Sequence, residues 1–279
     1  MALRCAVKLG IPDAIHRSGG ATTLTELLAA IPLAEAKRTH LSRLMRLLTE
    51  LGVFFTEDDV QANGGGEAGG VYRLKPVSRL LVHDVEANDG ACLSQFVTSV
   101  TALSSNLTAY LRLDEWFKSD GGDSSSADTP FMMAYGQGFW AADGCDAERS
   151  ARFDQLMASD SRLVADVVVR ECSDVFQGIT MCCMIGAMRT VRILQRCREA
   201  IYATGAAGKV VIIEMVMGQS PSTKKAFEAQ LLMDMCMMVL FTGKERGEQT
   251  WNKIFMDSGF TRYKIRPVLG ARSVIELYP

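Results

Sequence analysis

The spacing of apolar positions changes several times along this chain, and each change predicts an element. Residues 2–15 repeat at three to four residue steps and predict a helix in which Pro12 and Asp13 open a fresh turn. Residues 22–30 predict a second helix, capped by threonine and carrying Glu26 in its first turn. Residues 36–51 predict a third, which Gly52 ends. Residues 53–55 and 71–74 read as short strands around the glycine-rich tip QANGGGEAGG, expected to be mobile. Three helices followed by a hairpin make a winged helix. The helical pattern returns over residues 92–117, and GGDSSSADT then predicts a flexible loop.

The last third reads differently. Residues 210–216 are a β-branched run between Gly208 and Gly218, apolar on both faces as a buried strand is. Ser220 and Pro221 are expected to open a helix whose core face holds Leu231, Leu232, Met235, Met238 and Val239, with Gly243 as its stop. A second helix runs over residues 248–257 to Gly259. Two strands, residues 263–268 and 273–278, close around Leu269 and Gly270. Strand, helix, helix, strand, strand is the order found at the end of an α/β sheet. The expected organisation is a winged-helix domain over residues 1–90, a helical region over residues 91–170, and an α/β domain over residues 171–279.

Composition narrows the function classes. The chain has 279 residues, enough for two domains, and a net charge of −2 gives no global attraction to nucleic acid or to an anionic membrane. Eight cysteines form no C-x-x-C pair, and only Cys182 and Cys183 adjoin, so neither a metal site nor a disulfide framework is expected. No apolar run has the length of a signal peptide or a membrane span, and a cytoplasmic location follows by default. Nucleic-acid binding has one argument for it: Lys37, Arg38, His40, Arg43 and Arg46 crowd the third helix. Against it stand the acids Glu57, Asp58, Asp59 and Glu67 in the wing, and a core face of Leu41, Leu44, Leu47 and Leu48 that Arg43 and Arg46 merely flank. The second argument is preferred.

Two acids and one aromatic cluster are the candidate chemistry. Glu214 lies inside an apolar strand, where a carboxylate is costly unless paired or used, and Glu245 lies in the segment GKER after a helix end. Either they are functional, or Glu214 sits near a strand end with a solvent or arginine partner and Glu245 is a first-turn helix acid favoured by the dipole. The segment PFMMAYGQGFW gathers Phe131, Met132, Met133, Tyr135, Phe139 and Trp140. It is either core packing or a pocket for a flat aromatic ring.

The block from GKVVIIE through LLMDMCMMVLFTGKERGEQTWNKIFMDSGF to SVIELY resembles the C-terminal end of plant S-adenosylmethionine-dependent O-methyltransferases, which methylate small phenolic compounds. The segments GGATTLTELLAAI, LSRLMRLLTELGVF and YRLKPVSRLLV are similar to that family's winged-helix dimerisation domain. The resemblance implies a C-terminal Rossmann-like α/β domain, S-adenosylmethionine as methyl donor, a small phenolic substrate and a homodimer. It also implies that Glu214 and Glu245 orient a catalytic histidine, and that Phe139, Trp140, Met157 and Met237 face the phenol.

The resemblance breaks after FQGIT. The family continues there into a first sheet strand, a glycine-rich donor turn and later the histidine. Here MCCMIGAMRTVRILQRCREAI follows directly, and only VRILQRCREAI resembles the family again. A seven-stranded Rossmann-like sheet needs on the order of 170 residues, and residues 171–279 supply about 109. All three histidines, His16, His40 and His83, lie in the N-terminal region, and Gly186 alone cannot replace a donor turn. The expectation is an internally deleted family member with an incomplete sheet and impaired activity. The alternative expectations are a non-catalytic partner of a full-length paralogue and, behind it, a winged-helix nucleic-acid binder.

Overall fold

The computed structural model describes residues 1–57, 70–84, 92–100, 104–119, 128–144, 146–177, 190–204, 208–218 and 223–279. They fall into two compact units, residues 1–104 with 146–163 and residues 105–145 with 164–279.

The first unit opens with α1 (Ala2–Lys8) and α2 (Ile11–Arg17). The spacing predicts one helix here, because Ala6, Ile11 and Ile15 keep a helical rhythm across the break. Gly10 adopts φ 71°, a left-handed conformation that costs glycine little, and it separates the two. After β1 (Ala21–Thr23) comes α3 (Leu24–Ala30), which starts two residues later than expected. Thr23 Oγ1 accepts from the Glu26 N–H at 3.2 Å, while Glu26 Oε2 accepts from the Thr23 N–H at 2.7 Å. This reciprocal cap fixes the helix start. A 3₁₀ turn, Glu35–His40, takes the first part of the expected third helix, and α4 (Leu41–Glu50) takes the rest.

Helix α4 buries Leu41, Met45 and Leu48, while Leu47 points outward, so the expected leucine face is rotated. With β2 (Phe54–Glu57) and β3 (Val71–Leu74), β1 forms a sheet of order β1-β3-β2, antiparallel throughout. Ala6, Ile11, Ile15, Leu27, Met45 and Phe54 fill the space between helices and sheet. The wing residues Asp58, Asp59 and Glu67 and nearly all of the glycine-rich tip lie outside the described residues. Then follow α5 (Pro76–Arg79) and α6 (Ser94–Val100).

The second unit begins with α7 (Ser104–Leu111), α8 (Leu113–Lys118), α9 (Pro130–Tyr135) and α10 (Phe139–Gly144). Most of the expected loop GGDSSSADT lies outside the described residues. Helix α11 (Ala147–Glu171) is divided between the two units, and a 3₁₀ turn, Ser173–Phe176, and α12 (Thr190–Thr204) lead to β4 (Val210–Met215). Cys182, Cys183 and Gly186 are outside the description, as are Ser220 and Pro221, expected to open the next helix. Helix α13 (Lys224–Leu240) is capped by Thr223, whose Oγ1 accepts from the Ala226 N–H at 3.2 Å. Helix α14 (Glu248–Asp257), β5 (Arg262–Leu269) and β6 (Arg272–Tyr278) finish the unit close to their expected bounds.

The three strands make a sheet of order β4-β6-β5, again antiparallel, with Val210 opposite Leu277 and Arg262 opposite Tyr278. On one face Val210, Ile212, Ile275 and Leu277 meet Leu194 and Ile201 of α12 and Trp251 and Phe255 of α14. On the other, Val211 and Val274 meet Val168, Cys172 and Val175. Helices on both faces of a sheet form the layering of an α/β domain. Among the described residues, β4 has a strand partner only in β6. No described helix is long and apolar enough to cross a membrane.

An ion network pins the sheet on the Val211 face. Lys209 Nζ lies 2.6 Å from Glu276 Oε2, with both side chains largely buried. The Tyr278 hydroxyl donates to the same oxygen at 2.8 Å. Arg266 Nη1 is 3.9 Å from Glu276 Oε1 and 2.7 Å from Asp174 Oδ2. Burial pushes the Glu276 carboxyl up, but Lys209 and the Tyr278 hydroxyl outweigh it and hold the group below its ordinary range.

Candidate functional site

Glu214 is the fifth residue of β4, directly opposite Ser273 on β6. Its Oε1 accepts from the Met215 N–H at 3.0 Å. Beyond it the chain is tied to the segment holding Glu245. The Met217 N–H donates to the Arg246 carbonyl at 2.9 Å, and Met217 bridges Gly247 in parallel. Trp251 Nε1 donates to the Met215 carbonyl at 3.2 Å, and the Arg246 guanidinium lies 5.3 Å from the centre of the Trp251 indole. The Glu245 N–H donates to Asp234 Oδ1 at 2.8 Å, which anchors the segment to α13. Glu245 thus sits before α14, not in its first turn.

Gln230 on α13 completes the frame. Fully buried, it donates from Nε2 to the Val216 carbonyl at 3.2 Å and to the Ala271 carbonyl at 3.0 Å, and its Oε1 accepts from the Gly218 N–H at 3.3 Å. The expected face of the helix holds only in part, at Val239. Leu231, Leu232 and Met235 are exposed, whereas Gln230, Val239 and Leu240 are buried. A helix that is apolar nearly all round gives no periodic signal of which side turns inward.

Burial raises the Glu214 carboxyl above its ordinary value, with Met215 N–H, Arg272 and Arg246 opposing. Glu245 is pushed up to about 7, first by burial and then by the charges of Glu214 and Asp234, with Arg246 and Arg272 again opposing. The two acids are therefore close enough to repel, and at neutral pH Glu245 divides its time between acid and carboxylate. Cys236 of α13 shares a hydrogen bond with the Tyr110 hydroxyl of α7. Burial raises both of these groups, and the Glu245 charge raises the thiol further.

Phe139 is buried, with ring centroids 5.4 Å from Phe131, 5.4 Å from Trp140 and 4.7 Å from Phe241. Trp140 is 50% exposed and lies 5.4 Å from Phe241. Helix α9 packs on α13, and the Phe241 N–H donates to the Met237 carbonyl at 3.1 Å, so Met237 and Phe241 stand one turn apart. Phe241 was not legible as part of this cluster, since it lies a hundred residues away beyond a helix end. Of the six predicted site residues, Glu214, Glu245, Phe139, Trp140 and Met237 lie in the second unit, and Met157, on α11, in the first. The histidines all lie in the first unit: His83 Nδ1 is 2.9 Å from Asp13 Oδ2, and His16 Nε2 is 3.9 Å from Asp84 Oδ2.

Comparison with known proteins gives the arrangement its context. The O-methyltransferase dimerisation domain model matches residues 1–84, and the O-methyltransferase domain model matches residues 110–190 and 187–261. Acetylserotonin O-methyltransferase 3 of Oryza sativa subsp. japonica is 36% identical over 345 aligned positions, covering 100% of this chain and 90% of that protein. Trans-resveratrol di-O-methyltransferase of Vitis vinifera is 33% identical, covering 100% and 92%. Among solved structures, CalO1, a methyltransferase of calicheamicin biosynthesis in its SAH-bound form, superposes with a TM-score of 0.69 at 18% identity, covering 100% and 93%.

The rice alignment spans 345 positions against 279 residues, so some 66 of its positions have no counterpart here although the chain is covered from end to end. The two matched pieces of the methyltransferase model meet at residues 187–190. An internal deletion is consistent with both facts. The family donor is S-adenosylmethionine, and the described residues do not by themselves make a cradle for it. Open α/β sheets bind such ligands beyond the carboxyl ends of neighbouring parallel strands. Every described strand pair of the second unit's sheet is antiparallel, and β4 is preceded in the description by helix α12. In the sequence of residues 171–207, Gly178, Gly186 and Gly205 occur singly and make up no glycine-rich motif.

Proposed function

The chain belongs to the O-methyltransferase family, with a winged-helix dimerisation domain before a Rossmann-like α/β domain, and from this premise we propose that it keeps the family's phenol-facing half with methyl transfer impaired or lost. The observation that carries the reading is the acid pair itself. Glu214 and Glu245 are held together at the end of β4, yet no histidine occurs in residues 105–279. The relatives' names support a hydroxylated aromatic acceptor: acetylserotonin, trans-resveratrol and 5-pentadecatrienyl resorcinol. Phe139, Trp140, Phe241 and Met237 offer rings and a thioether to such a molecule.

Two losses act together on the reaction. A positioned general base contributes about 10²–10⁴-fold to a proton transfer. Holding donor beside acceptor contributes more, with effective molarities of about 10⁵–10⁸ M in well-oriented cases. Glu245 can accept a proton, but without a donor cradle nothing brings a methyl group to the phenol. Calorimetric titration of S-adenosylhomocysteine into folded chain is expected to give no saturable heat, and a panel of phenols incubated with S-adenosylmethionine is expected to gain no methyl mass. Micromolar, saturable binding accompanied by methyl transfer would sink the reading.

A second reading rests on the match to the dimerisation domain over residues 1–84 and on the closed core of the first unit. We infer that the chain pairs, with itself or with a full-length paralogue, and acts through that pairing. Light scattering of the purified chain is expected to give twice the monomer mass, and paralogue added in excess is expected to exchange into the pair. A strictly monomeric chain that leaves added paralogue unaltered excludes it.

A further inference from the structure

The end of β4 has features that the family reaction does not use in this chain. Two half-buried carboxylates, Glu214 and Glu245, face each other's field, and Asp234 adds a third charge while its Oδ1 is taken by the Glu245 N–H. Arg246 and Arg272 lower both acids without cancelling the effect of burial. Independently of the acids, Ser273 is fully buried, sits directly across from Glu214 and shares its sheet face, and its Oγ has no hydrogen-bond partner among the described residues. A buried hydroxyl left unpaired is costly, so such a group marks a place where a partner belongs.

We propose that this corner of the second unit is a receptor for a small planar organic cation carrying at least two N–H donors, of amidinium or imidazolium type, held by Glu214 and Glu245 with Ser273 Oγ accepting a further hydrogen bond. The chemistry selects the class. Like-charged carboxylates are relieved by a cation, and a planar fork of N–H groups matches carboxylate oxygens better than a point charge does. A metal ion is the poorer occupant, since no described group of three or more His, Cys, Asp or Glu is arranged to hold one. The inference goes beyond the function proposed above and borrows from it only the absence of a histidine from residues 105–279.

Benzamidine is a suitable probe, with benzamide, its neutral isostere, as control. Titrated calorimetrically into the folded full chain at pH 8, benzamidine is expected to bind saturably and benzamide not at all. The titratable and charged groups whose fields reach Glu214 or Glu245 are Arg272 from β6, Asp234 from α13 and Arg246 from the segment before α14, and Cys236 of α13, hydrogen-bonded to Tyr110 of α7, feels the Glu245 charge. Glu245 itself titrates at about 7, so a cation that needs its carboxylate loses affinity several-fold as pH falls from 8 to 6. Glu245→Gln removes like-charge repulsion and is expected to fold, a point its melting curve checks, while weakening benzamidine about tenfold. Ser273→Ala is expected to weaken it about threefold to tenfold. Equal binding of benzamide overturns the proposal, as does absence of benzamidine binding, or unchanged affinity in both Glu245→Gln and Glu214→Gln. No methyl donor enters this titration, so its outcome is separate from that with S-adenosylhomocysteine.

Discussion

Replacing Trp251 with alanine is expected to cost about 3–5 kcal/mol, the range for removing a fully buried large aromatic from a packed core. The indole is almost wholly buried, packs on Phe255 with ring centroids 5.6 Å apart, and joins the core on one sheet face. The loss goes beyond volume. Without Nε1–H the Met215 carbonyl loses a buried donor, and the Arg246 guanidinium loses the face it rests on. Both effects fall on the two ends of the segment that brings Glu245 to Glu214. The variant is therefore expected to loosen the acid pair as well as the fold. All three tryptophans lie in the second unit, so urea unfolding followed by the fluorescence of Trp116 and Trp140 reports that unit alone. A midpoint within about 0.5 kcal/mol of the parent, the range of an ordinary surface substitution, would contradict this account.

Glu276→Ala is expected to cost about 3–5 kcal/mol, because removing one member of a buried ion pair leaves the other charge uncompensated. Lys209, largely buried, is the stranded partner, while Arg266 keeps its closer partner Asp174. Replacing Lys209 and Glu276 together by methionine is expected to recover most of the loss, since an apolar pair of similar volume avoids the desolvation penalty. The pH dependence follows from the depressed carboxyl. A group held below its unfolded value binds protons less well when folded, so its contribution is complete above its ordinary value of 4.5 and is lost as pH falls through the lower folded one. The parent should lose stability down that acid limb, and the double variant should lose less. Single and double variants of equal stability at pH 7 would show that the pair does not act as a unit.

Sequence reasoning reached the elements that announce themselves locally. Residues 210–216 are too β-branched and too short for a helix, and Gly208 and Gly218 bound them. Gly259 and Gly270, with φ of 83° and 66°, turn the chain where glycine was read as a stop or a turn. The capping pair Thr23 and Glu26 was visible as a spacing, and the structure moves the helix start to suit it. What stayed hidden depends on partners far along the chain. Gln230 is buried because its amide reaches Val216, Gly218 and Ala271, none of which a helical period can show. Asp234 anchors Glu245 across a helix end. Ser273 is an inconspicuous small residue in a strand, and only the register opposite Glu214 gives it meaning.

Among the described residues of the second unit's sheet, β4 and β5 are not neighbours, and each pairs with β6, the strand that follows them in the chain. On the ribosome this order has a consequence. Every described strand-to-strand bond of that sheet must wait until residues 272–278 have left the exit tunnel, while the described pairings of the first unit's sheet end at residue 74. The dimerisation fold's sheet can thus close early, and the acid-bearing strand has no strand partner among the described residues until residues 272–278 have emerged.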